Sequence, residues 1–225
     1  MYQLILSKKS FWSFLRLSFM RKVWLIVTPL LLLNIYVVNA QTEFSEINFK
    51  GGLNLASLSG LPEGAQNDGL RSGLLIGVYA KISFSDVFAL NVDVNFSQRG
   101  GRFLVNRITP TSTFKLSTLD FTPSLSLQVN QIFSIDREMS ITIGPSLGIP
   151  LSAQLLSDGL ITNELEETVS PIWALVGGFK AFISDKVGGF IQYSYGLTQL
   201  FGENPNNNAS NNILQLGVIV NFYRK

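Results

Sequence analysis

Residues 88–99 read FALNVDVNFSQR. Phe88, Leu90, Val92, Val94 and Phe96 share one parity, while Ala89, Asn91, Asp93, Asn95 and Ser97 share the other. A period of two sends successive side chains to opposite faces of a strand. The stretch therefore has one apolar face and one face of amides, a hydroxyl and a carboxylate. A soluble sheet protein alternates in the same way but hides the apolar face in a core. A membrane barrel instead turns the apolar face to lipid and the polar face to its lumen. The number of strands, their connections and the segment before them separate the two cases.

Seven more segments alternate, at residues 47–58, 70–84, 116–130, 139–154, 168–183, 188–201 and 213–223. In the segment at 116–130, Leu119, Phe121, Leu125, Leu127 and Val129 oppose Thr118, Asp120, Thr122, Ser124, Ser126 and Gln128. In the last, Leu214, Leu216, Val218, Val220 and Phe222 oppose Gln215, Gly217 and Asn221. No stretch after residue 40 sustains a helical period. The connections at 85–87, 133–137 and 184–187 are tight. Those at 59–69, 100–114, 155–167 and 202–212 are long and rich in Gly, Asn, Thr or acid. An even strand count with short turns at one end and long loops at the other is the outer-membrane barrel pattern. Segments of about ten residues suffice for a tilted crossing.

The soluble alternative is a lipocalin-like barrel with the two faces exchanged. Its polar parity would face water and need dense charge. Here that parity carries few charges, chiefly Lys50, Lys81, Asp93, Asp120 and Lys180, among Ser, Thr, Asn, Gln and Gly. Such a face suits a packed lumen better than a solvated surface. The sequence thus points to an all-β fold, an eight-stranded antiparallel up-and-down transmembrane β-barrel.

Residues 1–40 read as a signal peptide that is removed, leaving a barrel domain at 41–225. Arg21 and Lys22 precede an apolar run from Val23 to Val38, and Val38-Asn39-Ala40 resembles a cleavage site. A transmembrane anchor is the competing reading, but the run from Trp24 is about 15 residues against the roughly 20 that a helix needs. Lys8, Lys9 and Arg16 lie upstream of Met20, so translation starts at Met1 with a long leader or at Met20. Removal of the segment takes away five positive charges and no acid, so the net charge of +2 becomes −3. The high pI therefore belongs to the leader, and no basic stripe points to nucleic acid.

The chain has no His and no Cys. The commonest general base, the thiol nucleophile and the usual zinc ligands are missing, so neither an enzyme nor a cofactor is expected. An eight-stranded barrel is just wide enough for its interior to fill with side chains. Lys50, Lys81, Asp93, Asp120 and Lys180 are therefore expected to form a charge network in the lumen. With a turn at 85–87, Lys81 lies opposite Asn91 and diagonal to Asp93, so Asp93 is expected to be its anion, with Lys50 or Lys180 nearby. Trp173, Tyr193 and Tyr195 are expected as interface aromatics at one rim, and Phe84, Phe88, Phe222 and Tyr223 at the other. Arg99, Arg102 and Arg107 make one outer loop basic, and Glu164, Glu166 and Glu167 make another acidic. These six are candidates for binding lipopolysaccharide phosphates, cations or a partner.

The run Phe49-Lys50-Gly51-Gly52-Leu53-Asn54-Leu55-Ala56, then Gly77-Val78-Tyr79-Ala80 and Asp93-Val94-Asn95-Phe96-Ser97-Gln98-Arg99-Gly100, resembles the PorT-type outer-membrane β-barrel family. Leu119-Asp120-Phe121-Thr122-Pro123, Gly144-Pro145-Ser146-Leu147-Gly148 and Tyr193-Ser194-Tyr195-Gly196-Leu197 follow in the same order, so the likeness covers residues 44–223. The chain departs from the pattern by continuing past Phe222-Tyr223 into Arg224-Lys225. The resemblance implies an eight-stranded OmpX/OmpA-like barrel in a bacterial outer membrane, with both termini periplasmic. It implies contact with outer-membrane lipid, including lipopolysaccharide, and with the barrel-assembly machinery. The function expected is structural or interactive, adhesion or partner binding through the extracellular loops. A narrow channel, or an accessory subunit of outer-membrane transport or secretion, is the alternative.

Overall fold

The computed structural model describes residues 43–61, 64–105, 112–134, 136–157, 160–164, 170–200 and 209–224. Ten strands form one sheet: β1 (Glu43–Ser59), β2 (Ala65–Asn67), β3 (Arg71–Ser83), β4 (Phe88–Val105), β5 (Ser112–Gln128), β6 (Met139–Ser157), β7 (Leu160–Glu164), β8 (Ile172–Phe182), β9 (Val187–Gly196) and β10 (Ser210–Arg224). Eight of them close a ring in the order β1, β3, β4, β5, β6, β8, β9, β10, with β10 returning to β1. Every pairing is antiparallel. Closure leaves no open edge, which backbone in lipid requires.

The alternation of the sequence becomes an inside-out section. On β3, Ile76 is 54% exposed and Val78 39%, whereas Tyr79 is 3% exposed. On β9, Ile191, Tyr193 and Tyr195 face outward while Gln192 and Ser194 are buried. The apolar parity is the outer wall and the polar parity the filling, the reverse of a lipocalin-like protein. No helix among the described residues is long and apolar enough to cross a membrane; the crossings are strands.

The two tightest turns repeat one design. Phe84 and Ser85 donate their amides to the Phe88 carbonyl, and the Ser85 hydroxyl accepts from the amides of Val87 and Phe88. Ile183 and Ser184 do the same with Val187, and the Ser184 hydroxyl accepts from the Val187 amide. Each serine satisfies donors that would otherwise end the ladder unpaired. The ladder between β1 and β10 has its own requirement: Gly52 lies opposite Gly217. A Cβ on Gly52 would come within 2.9 Å of the Gly217 Cα.

Several boundaries differ from the sequence reading. The strand expected to reach residue 130 stops at Gln128, and Val129–Phe133 forms a short helix, α1. Ser134 ends α1 in the left-handed region at φ 52°, the position where helices reverse. The stretch at 100–114 is mostly wall: β4 continues to Val105 and β5 begins at Ser112. The long connections at 59–69 and 155–167 carry the short strands β2 and β7, which extend the ladders of β4 and β6. Strand pairing takes over these segments because their neighbours still offer free backbone groups.

Candidate functional site

The lumen is built in layers by inward side chains two residues apart. Even positions on β1 supply Glu46, Asn48, Lys50 and Asn54; odd positions on β4 supply Asn91, Asp93, Asn95, Ser97 and Arg99, all buried. In the middle layer Lys50 Nζ donates to Asp93 Oδ1 at 2.8 Å and to Gln192 Oε1 at 2.7 Å. One ammonium thereby ties β1, β4 and β9. It also lies 4.7 Å from the centre of the Phe190 ring. Lys180 Nζ sits 3.7 Å over the Tyr79 ring and has no hydrogen-bond acceptor among the described residues. The ring face provides its compensating interaction.

One layer toward the long loops, Arg99 Nη2 pairs with Asp120 Oδ2, and Thr118 Oγ1 donates to Asp120 Oδ1 at 2.8 Å. Asn54 donates to Ser97 Oγ at 2.8 Å and accepts from Gln215 Nε2 at 3.1 Å. Between the two ion pairs lies a cavity with about 10 Å³ of room for water centres, lined by Lys50, Asp93, Asn95, Arg99, Asp120 and Gln215 among others. That is space for roughly one water molecule.

The mouths are closed by different chemistry. At the long-loop end Leu58, Phe114, Leu116, Ala153, Ile172 and Leu200 form a buried apolar plug against which Leu61 and Phe103 pack. Beside it Asn211 reaches across from β10 and donates to the Gly100 carbonyl at 2.7 Å. At the short-turn end four charges meet. Lys81 Nζ is 2.5 Å from Glu138 Oε1 and 3.5 Å from Glu46 Oε1; Arg224 Nη2 is 2.6 Å from Glu138 Oε2, and its Nε 3.3 Å from Glu46 Oε1. This cluster ties the first and last strands to the connection between β5 and β6.

All five charges expected in the lumen are there, with different partners. Lys81 does lie opposite Asn91. Its anions are nonetheless Glu138 and Glu46, and Asp93 belongs to Lys50. Reasoning along one hairpin missed the Lys50 contact because β1 and β4 are not neighbours and meet only across the barrel. Glu46, Glu138 and Arg224 were missed as well. Glu46 was legible, since it shares parity with Asn48 and Lys50.

Arg99 is a correction. Assigned to an outer loop, it is 3% exposed inside β4, because the odd parity of residues 91–97 simply continues. Arg102 is exposed, but on the strand wall. Glu164 ends β7. Arg107, Glu166 and Glu167 lie outside the described residues. Trp173, Tyr193, Tyr195, Phe88, Phe222 and Tyr223 are exposed on the outer surface, and Phe84 is half-buried. At the short-turn rim Phe44 stacks on Tyr223 and Phe49 meets Phe222 edge-on.

A closed antiparallel ring of eight strands, apolar outside and filled with paired polar groups inside, defines the class of integral outer-membrane barrels. The family model for the outer membrane protein beta-barrel domain matches residues 39–202, and the chain belongs to that family. It is an outer-membrane protein of a bacterium. A search of curated protein sequences finds no match. Among solved structures, the chain is similar to Ail, the attachment invasion locus protein of Yersinia pestis, at 14% identity and TM-score 0.49, over 80% of this chain and 100% of that one. It is similar to Neisserial surface protein A at 16% identity and TM-score 0.48, over 80% of this chain and 99% of that one. Similarity to the outer membrane protein OprG from Pseudomonas aeruginosa is at 10% identity and TM-score 0.45, over 80% and 97%. The family rests on the sequence match, and the fold on the closed ladder of this chain.

Proposed function

We propose that this barrel acts at its ends rather than through its lumen: a rigid outer-membrane scaffold that presents its long loops to surfaces or partner proteins outside the cell. In this reading residues 1–40 are a removed signal peptide, the short turns and both ends of the mature chain face the periplasm, and the long loops face out. The observation that carries it is the filled interior. The Lys50–Asp93 pair joins the non-neighbouring strands β1 and β4, the Arg99–Asp120 pair joins the adjacent strands β4 and β5 inside the lumen, and an apolar plug closes the long-loop mouth. A solute path would need those groups to part, and each parted pair leaves a buried charge alone. Imidazole and thiol chemistry have no place in the reading, since the chain lacks His and Cys. Its order of motifs resembles the PorT type, and we take from that likeness the architecture, not a secretion role.

The test is electrical. Protein extracted from the outer membranes of cells producing the full chain is inserted into planar lipid bilayers. The expected result is no unitary conductance, and still none when Phe114→Ala together with Leu116→Ala opens the plug alone, because the ion-pair layers beneath it stay closed. Steady single-channel steps from the unaltered protein would overturn the reading in favour of a narrow channel.

A further inference from the structure

The short-turn mouth holds a cavity with about 130 Å³ of room for water centres. Asp136, Arg137 and Glu138 line it from the connection between β5 and β6, and Asp185 from the turn between β8 and β9. Arg224 at the end of β10 and Phe182 at the end of β8 complete the part that matters here. Two backbone bonds hold these walls together. Phe182 donates its amide to the Glu138 carbonyl at 2.9 Å, and Asn221 on β10 donates its amide to the Lys186 carbonyl at 2.7 Å. The three segments are thus fixed by the barrel itself, and a ligand pays little to order them.

Charge and size narrow what the cavity takes. Glu138 and Glu46 are already matched by Lys81 and Arg224. Asp136, Asp185 and Arg137 have no hydrogen bond or ion pair among the described residues. Two free carboxylates against one free guanidinium leave one negative charge to be met, and all three side chains are exposed to solution. A bare metal ion is a poor match, because no three acidic side chains among the described residues are placed to hold one. The room is also about ten times the 10–15 Å³ that one water needs. Phe182, 6% exposed, adds an apolar side. An aromatic ring attracts a cation, and the chain already uses that contact for Lys50 on Phe190 and for Lys180 on Tyr79.

We propose that this cavity binds a primary alkylammonium group, the chemistry of a lysine side chain, between the carboxylates of Asp136 and Asp185, with the alkyl stem against Phe182. An ammonium is a compact charge with three donors, so acceptors on two different walls can share it. Arg137 sets the stoichiometry: one ammonium neutralises what remains, and a second is repelled. The site goes beyond the scaffold reading. It lies at the end opposite the long loops, and it stands if the lumen proves to conduct.

The probes are Nα-acetyl-lysine methylamide, whose only charge is the side-chain ammonium, n-butylamine, and the Nε-acetylated lysine probe, which is neutral. Each is titrated calorimetrically into phosphatidylcholine nanodiscs holding protein extracted from outer membranes of cells producing the full chain. Both amines should bind and the neutral probe should not. Tighter binding of the lysine probe marks a polypeptide as the source, and equal binding of butylamine marks a free amine; both results support the site. Asp136→Asn and Asp185→Asn should each weaken the amines about threefold, and together about tenfold, the scale of exposed ion pairs. Arg137→Gln removes a competing cation and should tighten binding about threefold. Asp86→Asn, in the exposed turn between β3 and β4 and outside the cavity, should change nothing. Heat-modifiable migration verifies that each variant barrel is closed. Binding of the neutral probe, no loss in the Asp136 and Asp185 variants, an equal loss in Asp86→Asn, or weakening by Arg137→Gln would overturn the proposal. Displacement of the amine by equimolar magnesium would also overturn it, by marking a divalent-cation site.

Discussion

Replacing Asp93 with Leu tests the middle layer of the lumen most directly. Asp93 is 1% exposed, and its Oδ1 is one of two acceptors for Lys50 Nζ. Loss of the carboxylate leaves the ammonium with Gln192 Oε1 and the face of Phe190, neither of which carries charge. Stranding one member of a buried pair costs roughly 3–5 kcal/mol, and the remaining amide acceptor places this site toward the lower end. Asp93→Asn keeps an acceptor of the same shape and should lose about 1.5–3 kcal/mol, the range for a hydrogen bond to a charged group. The Asp93→Leu/Lys50→Met double variant removes both charges and should recover most of the loss, because an apolar pair of similar volume often matches a buried ion pair. The assay is urea unfolding of the purified barrel in detergent, followed by tryptophan fluorescence and by the gel shift between boiled and unboiled samples. The coupling in this cycle should exceed 1 kcal/mol. Additive losses, or an Asp93→Leu barrel within about 0.5 kcal/mol of wild type, would refute the assignment of Lys50 to Asp93.

Four other outcomes follow from the same geometry. Ile76→Arg, in the middle of the outward apolar face, should cost about 2–4 kcal/mol in a bilayer; in a water-soluble barrel an exposed substitution stays within about 0.5 kcal/mol, so refolding into vesicles separates the two. Gly52→Val should abolish the heat-modifiable band, because the new side chain meets the backbone of β10 where the first and last strands join. Arg224→Gln removes two ion pairs at the short-turn mouth, but its side chain is 40% exposed, so the loss in urea unfolding should be under about 1 kcal/mol and shrink further in 1 M salt. Ser134→Gly relieves a left-handed residue and should stabilise the turn after α1 by about 1 kcal/mol, read as a higher urea midpoint.

Alternation divided every strand into an apolar and a polar face, and the sparse charge on the polar face then pointed it to the lumen. Lipid and lumen differ so sharply in polarity that Ile191 and Gln192, one residue apart, have no freedom to exchange places. The even strand count and the contrast of short and long connections then gave an up-and-down barrel. The parity rule reaches further than its first use, since carried past Ser97 it already places Arg99 inside.

What the tertiary structure alone decided is which inward groups meet. A hairpin joins sequence neighbours, but a closed barrel brings β1 within reach of β4 and β9 across a narrow lumen, and it is there that Lys50 finds Asp93 and Gln192. Glu138, in a connection with no periodicity to read, becomes the shared anion of Lys81 and Arg224 only when the ring closes. The same closure turns Leu58, Phe114 and Leu200, far apart in sequence, into one plug. Periodicity is a local property of the backbone and fixes direction. Contact across the lumen depends on strand stagger and on the curvature of the whole ring, which no single segment encodes.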